Sequence, residues 1–368
     1  VLDDATGLYY KTDRSVAEWI MDDRMTVAVY GATGHTGRFV VAELARRGLQ
    51  AIRIGRDAAR LAKDGSDATL ARVAAIDDPA ALDAALRGAA AVINCAGPYL
   101  DTALPLADAA LRAGIPYLDL TAEQPSVLAL AEHCDARARA AGVTLVPAAA
   151  FYGGLADLLV TAVVAPNRPI ERVDIATGLD SWHPTHGTRV TGERNRAVRL
   201  VQKDGKPAPV PSPARERAWP FPPPIGRVGV TLLPFSEVMT LSRHLRIDTI
   251  ESWLATVVLR DVRDAATPPP EPTDEMGRSA QQFAMDAIAV QGGTTHRATA
   301  LGRDIYAVSA PIIVEAAVRL ISGHTVAPGG VRSLGELFDA RDFLAALDTV
   351  AVSFDTTTDP VFHKETQA

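Results

Sequence analysis

The sequence predicts an α/β protein with a doubly wound parallel sheet, followed by a second, α+β domain with a mostly antiparallel sheet. Three observations predict it. Thr26 to Arg47 reads as a strand, a glycine turn and a helix. Strand and helix patterns then alternate to about Ala150, as βαβ units do. After Ala165, strand-like runs follow one another with short connections, which favours antiparallel pairing.

The elements follow in order. Val27 to Tyr30 is a short β-rich run that enters Gly31-Ala32-Thr33-Gly34-His35-Thr36-Gly37. Phe39, Val40, Val41, Leu44 and Ala45 supply the apolar pattern of the helix after it. Strand, glycine turn and helix together form a dinucleotide-binding context. Gly31 permits the tight turn, Gly34 lets a pyrophosphate approach the backbone, and Gly37 allows close helix–sheet packing. The anion then meets free N–H groups at the positive end of the helix. The spacing is GxxGxxG, a variant of the usual fingerprint, and a glycine turn that binds nothing is the bland alternative. A second strand is expected over Ala51 to Ile54, after the Gly48 stop. A third is expected over Ala71 to Ile76, with a helix over Pro79 to Leu86. Ala91 to Cys95 is continuously apolar, as a strand covered on both faces should be. Helices over Ala103 to Ala113 and Pro125 to Ala141 end at Gly114 and Gly142, and flank strands at Tyr117 to Leu120 and Val143 to Pro147. This Rossmann-type arrangement puts the C-terminal ends of its strands on one ligand-binding edge.

In the second half, Glu171 to Thr177 reads as a strand, Asp180 to Arg199 as a polar stretch and Lys206 to Pro224 as a proline-rich loop. Further strands are expected at Val228 to Leu233, Thr249 to Leu259, Gln282 to Val290 and Thr294 to Leu301. The last two flank Gln291-Gly292-Gly293, a hairpin turn. Thr267 to Thr273 is a second proline-rich loop. Helices are expected at Ala307 to Ile321 and Arg341 to Leu347. The expected division is an N-terminal extension at 1–24, a nucleotide-binding domain at 25–150, a substrate domain at 151–322, and a C-terminal segment at 323–368 returning to the first domain.

The whole chain sets limits. Its 368 residues suit about two domains. A net charge of −7 argues against a nucleic-acid partner. Two cysteines, Cys95 and Cys134, form no disulfide framework, so a cytoplasmic location is the default. No run of eighteen apolar residues predicts a membrane span. A homodimer is the base-rate assembly.

Candidate site residues cluster at the strand ends. The second strand ends Ile54-Gly55-Arg56, with no carboxylate at its tip. Arg56 can clamp a 2′-phosphate with paired donors, which favours NADP over NAD. The competing reading makes Arg56 a solvated arginine and gives the ribose to Asp57. Asn94-Cys95-Ala96-Gly97-Pro98-Tyr99 forms a turn on the nicotinamide side, where Tyr99 either lines the wall or donates a proton. His183, His186, Thr188 and Arg189 are the densest polar cluster of the second half. They lack partners at metal-ligand spacing, so no metal is expected. Arg194, Arg196 and Arg199 either bind an anionic group or form a solvated face.

These residues carry a resemblance. VYGATGHTGRFVVAELARRG, IGRD and VINCAGPYLDTALPLADAALRAGIPYLDLTAE are similar to the saccharopine dehydrogenase-like oxidoreductases, nearest the branch of trans-acting enoyl reductases. HGTRVTG and GRDIYAVSAPIIVEAAVRLISG extend it more weakly. The resemblance implies NADP-linked redox chemistry in a cleft between two domains. It implies a pyrophosphate role for Gly31, Thr33, Gly34, His35, Thr36 and Gly37. It gives the 2′-phosphate to Arg56, and the nicotinamide side to Ala96, Gly97, Pro98 and Tyr99. Ala122, and the run Ala150-Phe151-Tyr152-Gly153-Gly154, depart from the family pattern on the substrate side. The expected function is hydride transfer to or from a C=C, C=N or C=O group of a small or lipid-like substrate. Tyr99, Glu123 and His186 are the candidate proton donors or substrate ligands. The alternatives are a non-catalytic NADP sensor and an amino-acid or polyamine dehydrogenase of the same superfamily.

Overall fold

The computed structural model describes residues 25–63, 70–326 and 328–357. The expected extension at 1–24 lies outside the described residues. Among the described residues the first sheet has seven strands: β1 (Thr26–Tyr30), β2 (Gln50–Gly55), β3 (Ala71–Val73), β4 (Ala91–Asn94), β5 (Tyr117–Asp119), β6 (Thr144–Val146) and the late strand Gly330–Val331. All pair in parallel, and Gly330–Val331 joins the edge beyond β6. Alternate residues of the central strands feed two different cores. Val27 and Val29 face one, and Ala28 and Tyr30 the other. The same split holds for Ile93 against Val92 and for Leu118 against Tyr117. Both faces are covered, so these strands are apolar throughout.

The chain runs outward from β1 through β2 to β3, then restarts at β4 on the other side of β1. Between β1 and β4 the winding reverses, which opens the crevice where doubly wound sheets hold ligands. Helix α1 (His35–Arg46) follows β1, and α2 (Ala58–Ala62) and α3 (Pro79–Ala85) follow β2 and β3. Helix α4 (Tyr99–Ala113) follows β4 and α5 (Gln124–Ala141) follows β5, each ending on a left-handed glycine, Gly114 or Gly142. The expected start of α4 at Ala103 is corrected to Tyr99. Glu123 satisfies the orphan backbone donor of Tyr99 from outside the helix, so the first turn forms. The third strand likewise stops at Val73 rather than Ile76.

The second sheet is mixed and mostly antiparallel. Its strands are β7 (Ile170–Leu179), β8 (Leu200–Lys203), β9 (Lys206–Pro209), β10 (Glu216–Pro220), β11 (Arg227–Leu232), β12 (Ile247–Ala255), β13 (Gln282–Gln291), β14 (Thr294–Arg303) and a final strand, Val350–Thr357. Only the β12–β7 pairing is parallel among these described strands. Gly292 and Gly293 both take positive φ, as a two-residue hairpin turn between β13 and β14 demands. Three expectations change. The proline-rich Lys206 to Pro224 contains β9 and β10, because proline is tolerated where a strand pairs on one side only. The polar stretch contains helix α6 (His186–Arg194), whose N-terminus is capped by Thr185. The strand expected at Thr249 to Leu259 ends at Ala255, and Val258–Arg263 is helical.

One core cluster spans both sheets. It joins Val29 and Ile93 to Phe283, Ile312 and Phe343. Helix α7 (Ser309–Ile321) packs on α1, and Arg47, the residue that ends α1, is paired with Glu315. This apolar continuity brings the second sheet against the crevice edge.

Candidate active site

The glycine turn is built by contact. Gly31 takes φ +79°, and a Cβ there would lie 2.9 Å from the Ala96 methyl. The turns after β1 and β4 therefore touch across the switch point. A Cβ on Gly37 would collide with the Gly31 carbonyl oxygen. Gly34 differs: it is exposed and extended, and its Cβ would meet only the Gly31 oxygen, at 3.1 Å. It is the N-cap of α1, and no side chain caps that twelve-residue helix. Amide donors and open space at one helix N-terminus fit a pyrophosphate. Thr33 and Thr36 sit half-buried on the same turn.

The tip of β2 separates the two cofactor readings. Asp57 is the N-cap of α2, and its Oδ1 accepts from the Arg60 amide at 3.1 Å. Its carboxylate is engaged by the backbone, while the Arg56 side chain is exposed at the strand end. Burial raises the Tyr30 phenol, and the Arg56 charge partly offsets this.

The turn after β4 is held by buried Asn94. Its Oδ1 accepts from Ala96 N at 3.1 Å, and its Nδ2 donates to Thr102 Oγ1 at 3.1 Å and Tyr117 OH at 3.2 Å. Thr102 in turn donates to Ala96 O at 2.6 Å. Glu123 Oε1 accepts from Tyr99 N at 2.9 Å, while its Oε2 is buried without a partner. Burial lifts the Glu123 carboxyl to about 7. Burial also keeps the Tyr99 phenol neutral, far above its usual range. Beneath them lies Asp119, fully buried, which accepts from Tyr117 OH, Thr121 N and Ala148 N at 2.8–2.9 Å. Thr121 Oγ1 then accepts from Glu123 N at 3.0 Å. Asp119 thus fixes the loop that aims Glu123.

The second sheet closes the ring. His35 packs edge-on against Tyr306, with ring centroids 5.3 Å apart. Burial lowers its pKa, and its Nε2 is buried and unpaired. Tyr306 OH accepts from Trp182 Nε1 at 2.9 Å and shares a hydrogen bond with Thr188 Oγ1 at 2.9 Å. Trp182 lies beside Tyr152, which stacks on Phe235 at 4.2 Å. Ser236 Oγ donates to Thr121 O at 3.0 Å, returning the circuit to Glu123. Helix α6 roofs the turn after β4, since a Cβ on Gly97 would lie 2.9 Å from Thr191 Oγ1.

Tyr99 and Glu123 meet, and the Gly31–Gly37 turn meets Ala96. His186 is exposed at the first residue of α6, and among the described residues no hydrogen bond joins it to Tyr99 or Glu123. The three arginines diverge: Arg194 pairs with Asp101, Arg196 donates to Glu193 O, and Arg199 donates to Pro234 O. Arg189 donates to Thr267 O at 2.7 Å. Among the described residues no three His, Cys, Asp or Glu side chains converge on a metal-sized site. No helix among them is long and apolar enough to cross a membrane. Sequence reasoning missed Asp119, Tyr152, Trp182 and Tyr306 as site residues. Asp119 and Tyr306 do lie inside quoted motifs, AGIPYLDLTAE and GRDIYAVSAP.

Residues 27–146 match the model of the saccharopine dehydrogenase NADP binding domain. A curated relative is a saccharopine dehydrogenase-like oxidoreductase of Bos taurus, 25% identical over 226 residues. The match covers 53% of this chain and 53% of the bovine protein, so the chain spans about half the length of that relative. Among solved structures, apo saccharopine dehydrogenase (L-Glu forming) from Saccharomyces cerevisiae aligns with a TM-score of 0.61 at 13% identity. That alignment covers 90% of this chain and all of the yeast chain, and shows a shared fold. The match over residues 27–146 supports NADP as the cofactor, and the chain shares the fold of the yeast saccharopine dehydrogenase.

Proposed function

We propose that the chain is an NADP-dependent oxidoreductase of the saccharopine dehydrogenase-like type. Its nucleotide domain is 25–150, and the residues after 150 supply the substrate side. The observation that carries the reading is the meeting of two turns at the β1/β4 switch point, Gly31–Gly37 and Ala96–Tyr99, with Glu123 buried beside them. The amides of the Gly31–Gly37 turn hold the pyrophosphate, flanked by Thr33, His35 and Thr36. Arg56 holds the 2′-phosphate, since Asp57 is engaged in its helix cap. NADPH supplies a hydride from its nicotinamide when bound. Ala96, Gly97, Pro98 and Tyr99 form the wall against which that ring is positioned. The protein orients the C=N, C=O or C=C group, excludes water and places a proton. Glu123 suits proton placement. Its pKa of about 7 leaves it partly protonated at neutral pH, and Oε2 has no competing partner. Tyr99 lines the wall, and His186 stands at the outer end of the roof helix.

Fluorescence titration with NADPH and NADH tests the cofactor side. NADPH should bind more tightly, and Arg56→Ala should remove that preference, weakening NADPH roughly tenfold or more and NADH little. Equal affinities in the unmodified protein would remove Arg56 from its role. NADPH consumption across enoyl, imine and ketone substrates tests catalysis. Binding without turnover on every class would favour a sensor.

A further inference from the structure

Asp119 is a fully buried carboxylate at the end of β5, and among the described residues no cation is paired with it. Its partners are three donors. Tyr117 OH donates to Oδ2 at 2.8 Å, and the amides of Thr121 and Ala148 donate to Oδ1 at 2.9 and 2.8 Å. Ala148 takes φ +57°, a left-handed conformation that a residue with a Cβ disfavours, so this corner is held rather than relaxed. Only an ionised carboxylate accepts at all three positions. An amide or a protonated acid would turn a hydrogen toward one of these donors and leave a buried polar hydrogen without an acceptor.

Two branches run from this group to the same turn. In the first, Tyr117 gives its hydrogen to Asp119, and its oxygen accepts from Asn94 Nδ2 at 3.2 Å. Asn94 Nδ2 also donates to Thr102 Oγ1, and Asn94 Oδ1 accepts from Ala96 N. Thr102 donates onward to Ala96 O at 2.6 Å, so side chains hold both backbone groups of Ala96. In the second branch Thr121 Oγ1 accepts from Glu123 N, and Glu123 Oε1 accepts from Tyr99 N. The branches therefore end at Ala96 and at Tyr99, the two ends of the turn after β4. Ala96 is also the residue whose methyl meets the glycine turn at Gly31.

We propose that Asp119 is a positioning residue, the common acceptor of two hydrogen-bond branches that hold the Ala96–Tyr99 turn in the shape that receives the nicotinamide ring. It acts through Tyr117 and Asn94 at one end and through Thr121 and Glu123 at the other. The proposal rests on the reading of this turn as the nicotinamide side of an NADP site, and it adds what sets the turn's shape. The first branch has one direction only. Asn94 cannot turn over, because its Nδ2 would then face the Ala96 amide, donor against donor. Tyr117 must accept from Asn94, so its own hydrogen needs an acceptor on the far side, which Asp119 Oδ2 supplies. Asp119→Asn keeps the size of the group and the two bonds at Oδ1. It sets an NH2 against the Tyr117 oxygen, so the phenol has donors on both sides and nowhere to place its hydrogen.

Isothermal titration of the full chain with NADPH and with 2′-phospho-ADP-ribose, the same nucleotide without its nicotinamide, tests this. The unmodified protein should bind NADPH more tightly than the fragment. Asp119→Asn should weaken NADPH roughly tenfold, toward the affinity of the fragment, and leave the fragment itself unchanged. The emission of bound NADPH should shift toward that of the free nucleotide in the same variant. Tyr117→Phe cuts only the branch to Ala96, and should weaken NADPH several-fold with the same selectivity. Unchanged fragment binding shows that a variant is folded, and if Asp119→Asn does not fold, Tyr117→Phe decides. Variants that bind NADPH as the unmodified protein does, or that weaken both ligands alike, overturn the proposal. If the unmodified protein binds the two ligands equally, the turn does not hold the ring, and this inference falls while the cofactor reading stands. If it binds neither, the cofactor reading itself falls.

Discussion

Two opposed influences meet at Glu123. Its Oε1 caps the first turn of α4, where the helix dipole favours the carboxylate. Burial favours the acid and wins, lifting the group from 4.5 to about 7. The folded protein therefore holds this proton more tightly than the unfolded chain. The group's contribution to stability is complete below about pH 4.5 and is lost as pH rises toward about 7. Glu123→Gln keeps an oxygen for the cap and removes the titration. Thermal melts from pH 5 to 8 should show the unmodified protein losing stability relative to this variant up to about pH 7. A constant difference between the two would mean that Glu123 does not titrate there. In the reductive direction, kcat/KM should fall above pH 7, and the variant should be slower by about two to four orders of magnitude. Glu123 was open to selection from the sequence because it closes a motif. Tyr152 and Tyr306 also lie inside quoted runs, but an aromatic has the same letter whether it fills a core or lines a cleft.

Among the elements, the glycine turn divides into a position crowded by the fold, Gly37, and one left open to solvent, Gly34. Gly37 packs on the Gly31 carbonyl with no room for a methyl, so Gly37→Ala forces the helix off the sheet. That should cost about 1–3 kcal/mol in chemical denaturation. Gly34 is exposed and extended, so Gly34→Val should change stability by only about 0.5 kcal/mol. On the proposed reading its methyls would occupy the pyrophosphate position, so NADPH and NADH binding should both be lost. A Gly34→Val protein that still binds NADPH would place the diphosphate elsewhere. The parallel half was legible because its strands are buried on both faces and its helices end on glycine. The other half was less so, for local reasons. Helix α6 is polar and short, and its one signal is the Thr185 cap. β9 and β10 carry the prolines that ordinarily argue against strands, tolerated here at positions with a single pairing partner. The early start of α4 depends on a carboxylate 24 residues away, which no local pattern encodes.

Across the whole molecule, the two sheets share one apolar cluster, and a few buried polar contacts fasten the late segments onto it. His244 is the clearest of these. Its Nε2 lies 2.6 Å from Asp157 Oδ1, while Asp157 Oδ2 accepts from Gly335 N at 2.7 Å. The pair therefore joins the helix Ala156–Thr161, the loop before β12 and the helix Leu334–Leu337. Burial opposes a charge on His244, but Asp157 and more distant Glu336 outweigh both burial and Arg243, so its pKa is raised. The sign is set by that direction. The stabilisation is present in full below the unfolded value of 6.5, and it is lost as pH rises through the higher folded value. His244→Gln leaves the buried Asp157 charge without its cation, which should cost about 3–5 kcal/mol below pH 6.5. The deficit should shrink as pH rises, because the unmodified protein then loses its own charged pair. Melts at pH 6 and pH 9 compare the two directly, and a deficit that stays the same at both would mean a neutral hydrogen bond. Both sheets flank the cleft, so weakening this fastening should also lower NADPH affinity at pH 6, unlike a change confined to an exposed edge such as Val350–Thr357.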